Sequence, residues 1–285
     1  MLSTWKFDLV SVLFAIAQVA SYLILVGRLR RRGHRWPIRL TLIHLTAVML
    51  YLAVELGFFG TYRYDLRWAF TTRIALLLFG LPLLFALAKP FELSLTARSA
   101  KGRRQVKGLL KSWPFRLIGN AIFAPLFALA FFMIFITPAA GPFRQSVTLQ
   151  NLVSVLAPLF GLLMVGPISQ RRRHRSEIFV VAEFIFAFAE LMLDAIPGVV
   201  LSINNSVLDH AGPLIGSKPA WFPTALADQH FSGNLLWMIA EAADIPILVM
   251  LFINWGRSDR KHAKAIDDLT EEQYQELAKQ HLRRP

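Results

Sequence analysis

The sequence predicts an all-α polytopic membrane protein: a bundle of seven transmembrane helices with the N-terminus outside and the C-terminus in the cytoplasm. Three observations carry that expectation. Of the 285 residues, 55% are hydrophobic and 17% charged, whereas a soluble domain carries about 25% charged residues. A bilayer core about 30 Å thick needs roughly 20 apolar residues per helical span, and seven such stretches fill more than half of the chain. Finally, 25 of the 31 Lys and Arg residues fall after the first, third, fifth and seventh stretches, which by the positive-inside rule puts those connections in the cytoplasm.

The spans follow in order. The first runs from about Phe7 to Gly27 and ends in a basic block from Arg28 to Arg39. It reads as a retained helix and not a cleaved signal, because only Lys6 precedes it and its dense positive charge follows the apolar run. The second covers about Leu40 to Gly60 and turns through Tyr64 and Asp65. The third occupies about Trp68 to Lys89, and a long basic linker leads from it to Trp113. The fourth spans about Phe115 to Thr137 and stops at the Pro and Gly residues of Pro138 to Pro142. The fifth, about Leu149 to Ile168, ends at the run Arg171, Arg172, Arg173, His174, Arg175. The sixth lies at about Ile178 to Ser202. A polar loop over Ile203 to Ser232 separates it from the seventh, about Gly233 to Trp255. Residues 1–256 thus form the membrane domain and 257–285 a short cytoplasmic tail, with a helix expected from Thr270, where Gln273 completes a capping box. Pro82, Pro125, Pro158, Pro197 and Pro246 read as packing kinks. A sharper reading of Pro246, one turn past Glu241, is that it frees backbone carbonyls beside polar groups.

Composition excludes several functions. With no cysteine, disulfides, thiolate metal sites and Cys nucleophiles are out. The net charge of +13 belongs to membrane sidedness, not to nucleic-acid binding. There is no phosphate loop, H-E-x-x-H pair or G-x-S-x-G elbow.

Six of the 18 acids lie inside spans: Glu55, Glu183, Glu190, Asp194, Glu241 and Asp244, joined there by Arg73 and His44. An ionised side chain at a helix centre costs about 2.5–3.5 kcal/mol even on lenient insertion scales, so these groups are expected to face one another, a cavity or a partner. Glu183, Glu190 and Asp194 share one helix face by their spacing of seven and four, and Glu241 and Asp244 share another. At 1.5 Å per residue, Glu55 lies about 7 Å and Arg73 about 9 Å below the outer ends of their helices, which makes them the expected ion pair. The expectation is therefore an outward-facing polar cluster of Glu55, Arg73, Glu190, Asp194, Glu241 and Asp244. Hydrogen-bonded glue between helices is the plain alternative for the same acids. Glu183, near the cytoplasmic end, reads as reaching the interface. His44 reads as a packed histidine, and His210 and His230 fall in the outer loop, His230 at the mouth of the last span.

The stretch Asp228-Gln229-His230-Phe231-Ser232-Gly233, with Trp237 and Glu241 and then Trp255, Asp259 and Ala263, resembles the CtaG family of cytochrome c oxidase assembly factors, the seven-span type of Gram-positive bacteria. Trp5 and Asp8, Arg31-Arg32-Gly33 with Trp36-Pro37, Leu81-Pro82 and Lys89-Pro90 agree with it. The resemblance implies a non-enzymatic membrane assembly factor for haem-copper oxidase, linked to copper insertion, in the bacterial plasma membrane. Its partners would be the lipid bilayer and oxidase subunits, with no nucleic acid, and Asp228, Gln229, Gly233, Trp237 and Glu241 would carry the shared role. The sequence departs from the family where histidines are expected: Phe70 and Ile74 stand on the third helix, Asn151 and Val153 on the fifth, and Asp194 on the sixth. Without those imidazoles direct copper carriage by this chain is not the expectation; a transient copper contact would fall to His230, Asp194 and Met238. Met133, Met164 and Met192 read as core fillers.

A rival reading from a different class is a proton- or cation-coupled transporter whose pathway is Glu55, Arg73, Asp194, Glu241 and Asp244. The inverted repeat many such folds carry is not apparent in the sequence. A third reading, an intramembrane enzyme, pairs Glu190 with Asp194 and Glu241 with Asp244 on a divalent ion.

Overall fold

The computed structural model describes residues 5–113, 123–169, 185, 188, 192–193, 195–213 and 219–267. Among them there is helix and no strand. Four helices are long and apolar enough to cross a membrane: Leu9–Arg31, Ile38–Tyr62, Arg67–Leu87 and Val147–Val165.

Helix α1 (Leu9–Arg31) starts where the Asp8 carboxylate accepts from the Val10 and Ser11 amides at 3.0 and 3.4 Å. Such a cap satisfies amides that have no partner inside the helix. The helix ends with Arg28, Arg30 and Arg31 in its last turn, where cations oppose the negative end of the helix dipole, and Gly33 reverses the chain at a φ of 77°. Helix α2 (Ile38–Leu56) follows Pro37 and stops at Gly57, after which α3 (Phe58–Tyr62) makes a single turn.

Helix α4 (Arg67–Leu87) is the central one: 67% of its most apolar stretch is buried, against 22% for α1. Large apolar side chains of α1 such as Leu13 and Ile16 are correspondingly exposed, as a lipid-facing surface requires. A π-helical turn over Leu76–Gly80 interrupts α4 just before Pro82. Proline has no amide to give the carbonyl four residues earlier, here that of Leu78, and a wide turn absorbs the misfit. Gly161 of α9 (Val147–Ser169) packs against that Leu78 carbonyl and the Pro82 ring, where any side-chain carbon would collide. Pro82 is thus a packing kink, as its position suggested.

Lys89, in the left-handed region at a φ of 53°, ends the helix and Pro90 opens α5 (Pro90–Ala97). Then come α6 (Ala100–Lys111), α7 (Phe123–Met133) with a 3₁₀ turn over Ile134–Ile136, and α8 (Ala140–Gln145), which leads into α9. Residues 195–203 are helical, and α10 (Ala225–Asp267) runs unbroken for 43 residues. The starts of α1, α4, α9 and α10 and the end of α2 meet at one end of the bundle, where Phe70, Phe132, Phe135 and Leu236 close the core beneath them.

One expectation needs correcting. The loop after the sixth span does not reach Ser232: Thr224 caps Ala227 through its hydroxyl at 3.3 Å, so Asp228, Gln229 and His230 stand in the first turns of α10. The last helix runs on past Trp255 over residues 256–267. The expected helix from Thr270, the first third of the fourth span and about half of the sixth lie outside the described residues.

Candidate functional site

The polar site occupies the end of the bundle at which α1 begins, and it has three linked parts. The first centres on Glu55, one residue before the end of α2 and 1% exposed. Its Oε2 accepts from Arg73 Nε and Nη2 at 3.1 and 3.0 Å, from Arg63 Nη1 at 3.3 Å, and from the hydroxyls of Ser11 and Ser154 at 3.2 Å each. The fully buried Arg73 of α4 also donates to Gln150 Oε1 at 2.8 Å and to Ser154 Oγ at 2.6 Å, both on α9. One carboxylate therefore ties α1, α2, α4 and α9 together. Tyr51 adds a donation to the Ser154 carbonyl at 3.1 Å.

Arg63 extends this network towards the rim by donating to Asp8 Oδ2 at 2.7 Å and to the Tyr64 hydroxyl at 3.0 Å. Burial alone would raise the Asp8 carboxyl, but the Arg63 guanidinium and the Ser11 and Val10 amides outweigh it and hold Asp8 below the ordinary carboxylate value. Burial alone would lower Arg63, yet Asp8, Tyr64 and Glu55 hold it above its usual value. Two guanidiniums and two carboxylates balance, which is the condition for keeping charge out of water.

The second part belongs to α10. The Asp228 carboxylate receives the Arg67 and Trp68 amides at 2.8 Å each, capping α4 from another helix. Gln229 Oε1 accepts from Arg67 Nη1 at 2.6 Å and from the Leu208 amide at 2.8 Å, while its Nε2 donates to the carbonyls of Ser206 and Asn204 at 2.9 and 3.4 Å. Ser232 and Thr71 share a hydroxyl bond of 2.8 Å. At Gly233 the backbone of α10 meets Gly198 and Ser202, where a side-chain carbon would lie 2.6 Å from Ser202 Oγ. Asp228 is pushed above the ordinary carboxylate range because burial outweighs the two amides and the nearby arginines.

In the third part, Arg144 of α8 donates to Asp209 Oδ2 at 3.1 Å, to the Ala211 carbonyl at 2.6 Å and to the Tyr64 carbonyl. A cavity of about 280 Å³ opens between the second and third parts, lined by Arg67, Arg144, Asp65, Asp209, Asp228 and Phe222 among others.

The expected pair Glu55–Arg73 is present, at 3.0 Å. Glu241 does not join it. The inward stripe of α10 is Gln229, Ser232, Leu236, Ala240 and Ala243, and Glu241 lies off that stripe, its carboxylate held by the Trp237 indole at 3.0 Å on an exposed face. The cluster therefore does not gather Glu241, because a tryptophan four residues earlier already satisfies it. Glu190 and Asp194 lie outside the described residues, as does Glu183, and the Asp244 side chain is likewise undescribed. Sequence reasoning missed Arg63, Arg67, Arg144, Asp209, Gln150 and Ser154. The arginines lie at helix ends, where a positive charge reads as solvated, and nothing in the spacing says that they turn inward.

Copper donors do not assemble among the described residues. No group of three His, Asp or Glu side chains stands in ligand arrangement there. His230 Nε2 is 3.0 Å from the Asn204 carbonyl, and Met238 is 61% exposed. Phe70, Ile74 and Val153, at positions where the resemblance expects histidine, are buried core residues, with Phe70 packed on Phe135 at 5.2 Å. His44 is stacked on Tyr22 at 4.0 Å, as a packed histidine should be. Asp194, the remaining candidate donor, lies outside the described residues.

Proteins of uncharacterized function from Mycobacterium bovis and Mycobacterium tuberculosis are each 23% identical to this chain over 290 residues, covering 96% of it and 42% of their own length. One from Mycobacterium leprae is 23% identical over 270 residues, covering 92% of the chain and 41% of its own length. The chain thus spans about two fifths of the length of these curated relatives. No solved structure matches it. The family model of the cytochrome c oxidase caa3 assembly factor (Caa3_CtaG) matches residues 20–258, a segment that includes Glu55, Arg73, Arg144 and the Asp228–Gln229 cap. This chain belongs to the caa3-type cytochrome c oxidase assembly factor family.

Proposed function

We propose that the chain is a seven-span protein of the bacterial plasma membrane, N-terminus outside, that assists maturation of a haem-copper oxidase without catalysing a reaction. The observation that carries this is the family match over residues 20–258. The asymmetric Lys and Arg distribution supports the orientation. The role is linked to copper insertion into the oxidase core subunit, with copper as cargo of another carrier. The chain itself offers a rigid polar end, built on Glu55, Arg73, Asp228 and Arg144, at which an oxidase subunit is held while its centre is completed. Glu55, Asp228 and Arg144 each bond across to another segment of the chain, which suits a scaffold better than a conduction path.

Deletion of the gene tests this, with reduced-minus-oxidised difference spectra and the copper content of the purified oxidase as readouts. Both should fall and return with the wild-type gene. An unchanged oxidase in the deletion strain overturns the proposal.

A further inference from the structure

We infer that α6 lies in the membrane–water interface and binds anionic phospholipid headgroups. Residues 100–113 hold Lys101, Arg103, Arg104, Lys107 and Lys111 and no acid. At about 100° per residue these positions fall on one side of the helix and those of Val106, Leu109 and Leu110 on the other, and Trp113 follows two residues past its end at Lys111. Lys101, Arg103 and Arg104 are exposed, and Trp113 is 74% exposed. A basic face opposite an apolar one, with an exposed tryptophan just past the helix end, is the pattern of helices that lie in the headgroup layer.

Two further observations carry the inference. Twelve residues containing Gly102 and Gly108 make a marginal helix in water, so α6 needs a surface to order it. Its depth is also set by contacts. Leu93 and Ala97 of α5 pack with Tyr22, Val26 and Leu29 at the end of α1, and Arg32, just past that end, donates to the Arg98 carbonyl at 3.1 Å. Helix α6 therefore begins level with the point where the apolar run of α1 gives way to exposed Arg28, Arg30 and Arg31. These arginines enlarge the same positive surface, and the one acid in residues 89–113, Glu92, is paired with Lys89 at 3.2 Å. A soluble acidic partner would match the charge but leave the exposed Trp113 uncovered, whereas an anionic bilayer matches both.

The test uses the full-length protein reconstituted in bilayers of phosphatidylcholine alone or mixed with phosphatidylglycerol, both carrying brominated acyl chains. The Trp113 signal is isolated as the difference from Trp113→Phe, since the chain has 7 Trp. Quenching of Trp113 should rise with phosphatidylglycerol. It should return to the phosphatidylcholine level in Lys101→Glu/Arg103→Glu/Arg104→Glu, whose retention of phosphatidylglycerol through purification should drop by tenfold or more, each basic group near such a surface being worth roughly fivefold in partition. If that variant does not fold, high salt on the wild type replaces it and should lower the quenching in the same way. Quenching that ignores both lipid charge and salt overturns the inference. So does a Trp113 open to aqueous iodide in phosphatidylglycerol bilayers that becomes shielded only when an oxidase subunit is added, because the face then belongs to a protein.

Discussion

Asp228 and Arg67, 161 residues apart, are joined by a 2.8 Å bond from the Arg67 amide to the Asp228 carboxylate. With the Trp68 amide on the other oxygen, this makes the first turn of α10 the cap of α4. The acid that opens the most specific motif of the resemblance is therefore explained first as architecture: it fixes where the last helix meets the central one.

Replacing Asp228 with Ala strands two buried amides. A lost cap costs about 1–2 kcal/mol and each buried unsatisfied group about 1–3 kcal/mol, so Asp228→Ala should destabilise by about 2–4 kcal/mol. Asp228→Asn keeps one acceptor oxygen and should cost about half. Thermal unfolding of the purified protein in one detergent ranks the three proteins; equal melting temperatures would show that the cap contributes nothing.

Glu55 makes a harsher case, since Glu55→Leu leaves the fully buried Arg73 without its counter-ion. Breaking a buried pair from one side costs about 3–5 kcal/mol, while replacing both partners by apolar residues is often neutral. The expected order is therefore that Glu55→Leu and Arg73→Met are each strongly destabilised, and that the double variant lies closer to wild type than either, because Arg63 still has Asp8 at 2.7 Å. A double-mutant cycle on melting temperature measures this. Additive losses would mean that Glu55 and Arg73 are not coupled.

The apolar runs were readable because lipid leaves no choice: a segment crossing hydrocarbon must be apolar along its length and helical within. Glu55 and Arg73 were readable for a related reason, since opposite charges at similar depth on consecutive spans have few other ways to be satisfied. Arg63, Arg67 and Arg144 were not, because an arginine at a helix end has two outlets, water or the interior, and its sequence neighbours are the same in both. The partners that turn them inward, Asp8, Gln229 and Asp209, lie 55, 162 and 65 residues away, beyond any local pattern. Glu241 misled in the opposite sense. An acid in an apolar run invites an inward reading, but Trp237 one turn earlier gives it a donor on its own helix.

The two capping acids should respond to pH with opposite sign. Asp8 is held below its ordinary value, so the stability it contributes is complete above the unfolded carboxylate pKa, about 3.9, and is lost as pH falls through the lowered folded value. Asp228 is held above its ordinary value, so its linked contribution is complete below the unfolded pKa and is lost as pH rises through the raised folded value. Asp8→Asn should accordingly flatten the fall in melting temperature on acidification below about pH 4, and Asp228→Asn should flatten the decline on the alkaline side of that point. Melting curves of the three proteins across this range check both signs. Parallel profiles for all three would remove Asp8 and Asp228 from the account of acid stability.

Gly233 gives a way to separate architecture from function. Its α-carbon faces the chain at Gly198 and Ser202 so closely that an added side-chain carbon would sit 2.6 Å from Ser202 Oγ and 2.7 Å from the Ser202 amide nitrogen. Backbone cannot retreat as a side chain can, so Gly233→Ala should cost about 1–3 kcal/mol through overpacking, and Ser202→Ala in the same chain should recover only the hydroxyl's share. Trp237 and Glu241 stand on the exposed face of the same helix, bonded to each other and to none of the buried network described above, so Trp237→Phe should leave the stability within about 0.5 kcal/mol of wild type. Measured in cells, oxidase content in Gly233→Ala should fall in step with the amount of folded protein. Loss of oxidase in Trp237→Phe at full protein level would instead mark the exposed face of α10 as the surface that the oxidase subunit meets, and oxidase at wild-type levels in that variant would return the search to the cavity between Arg67 and Arg144.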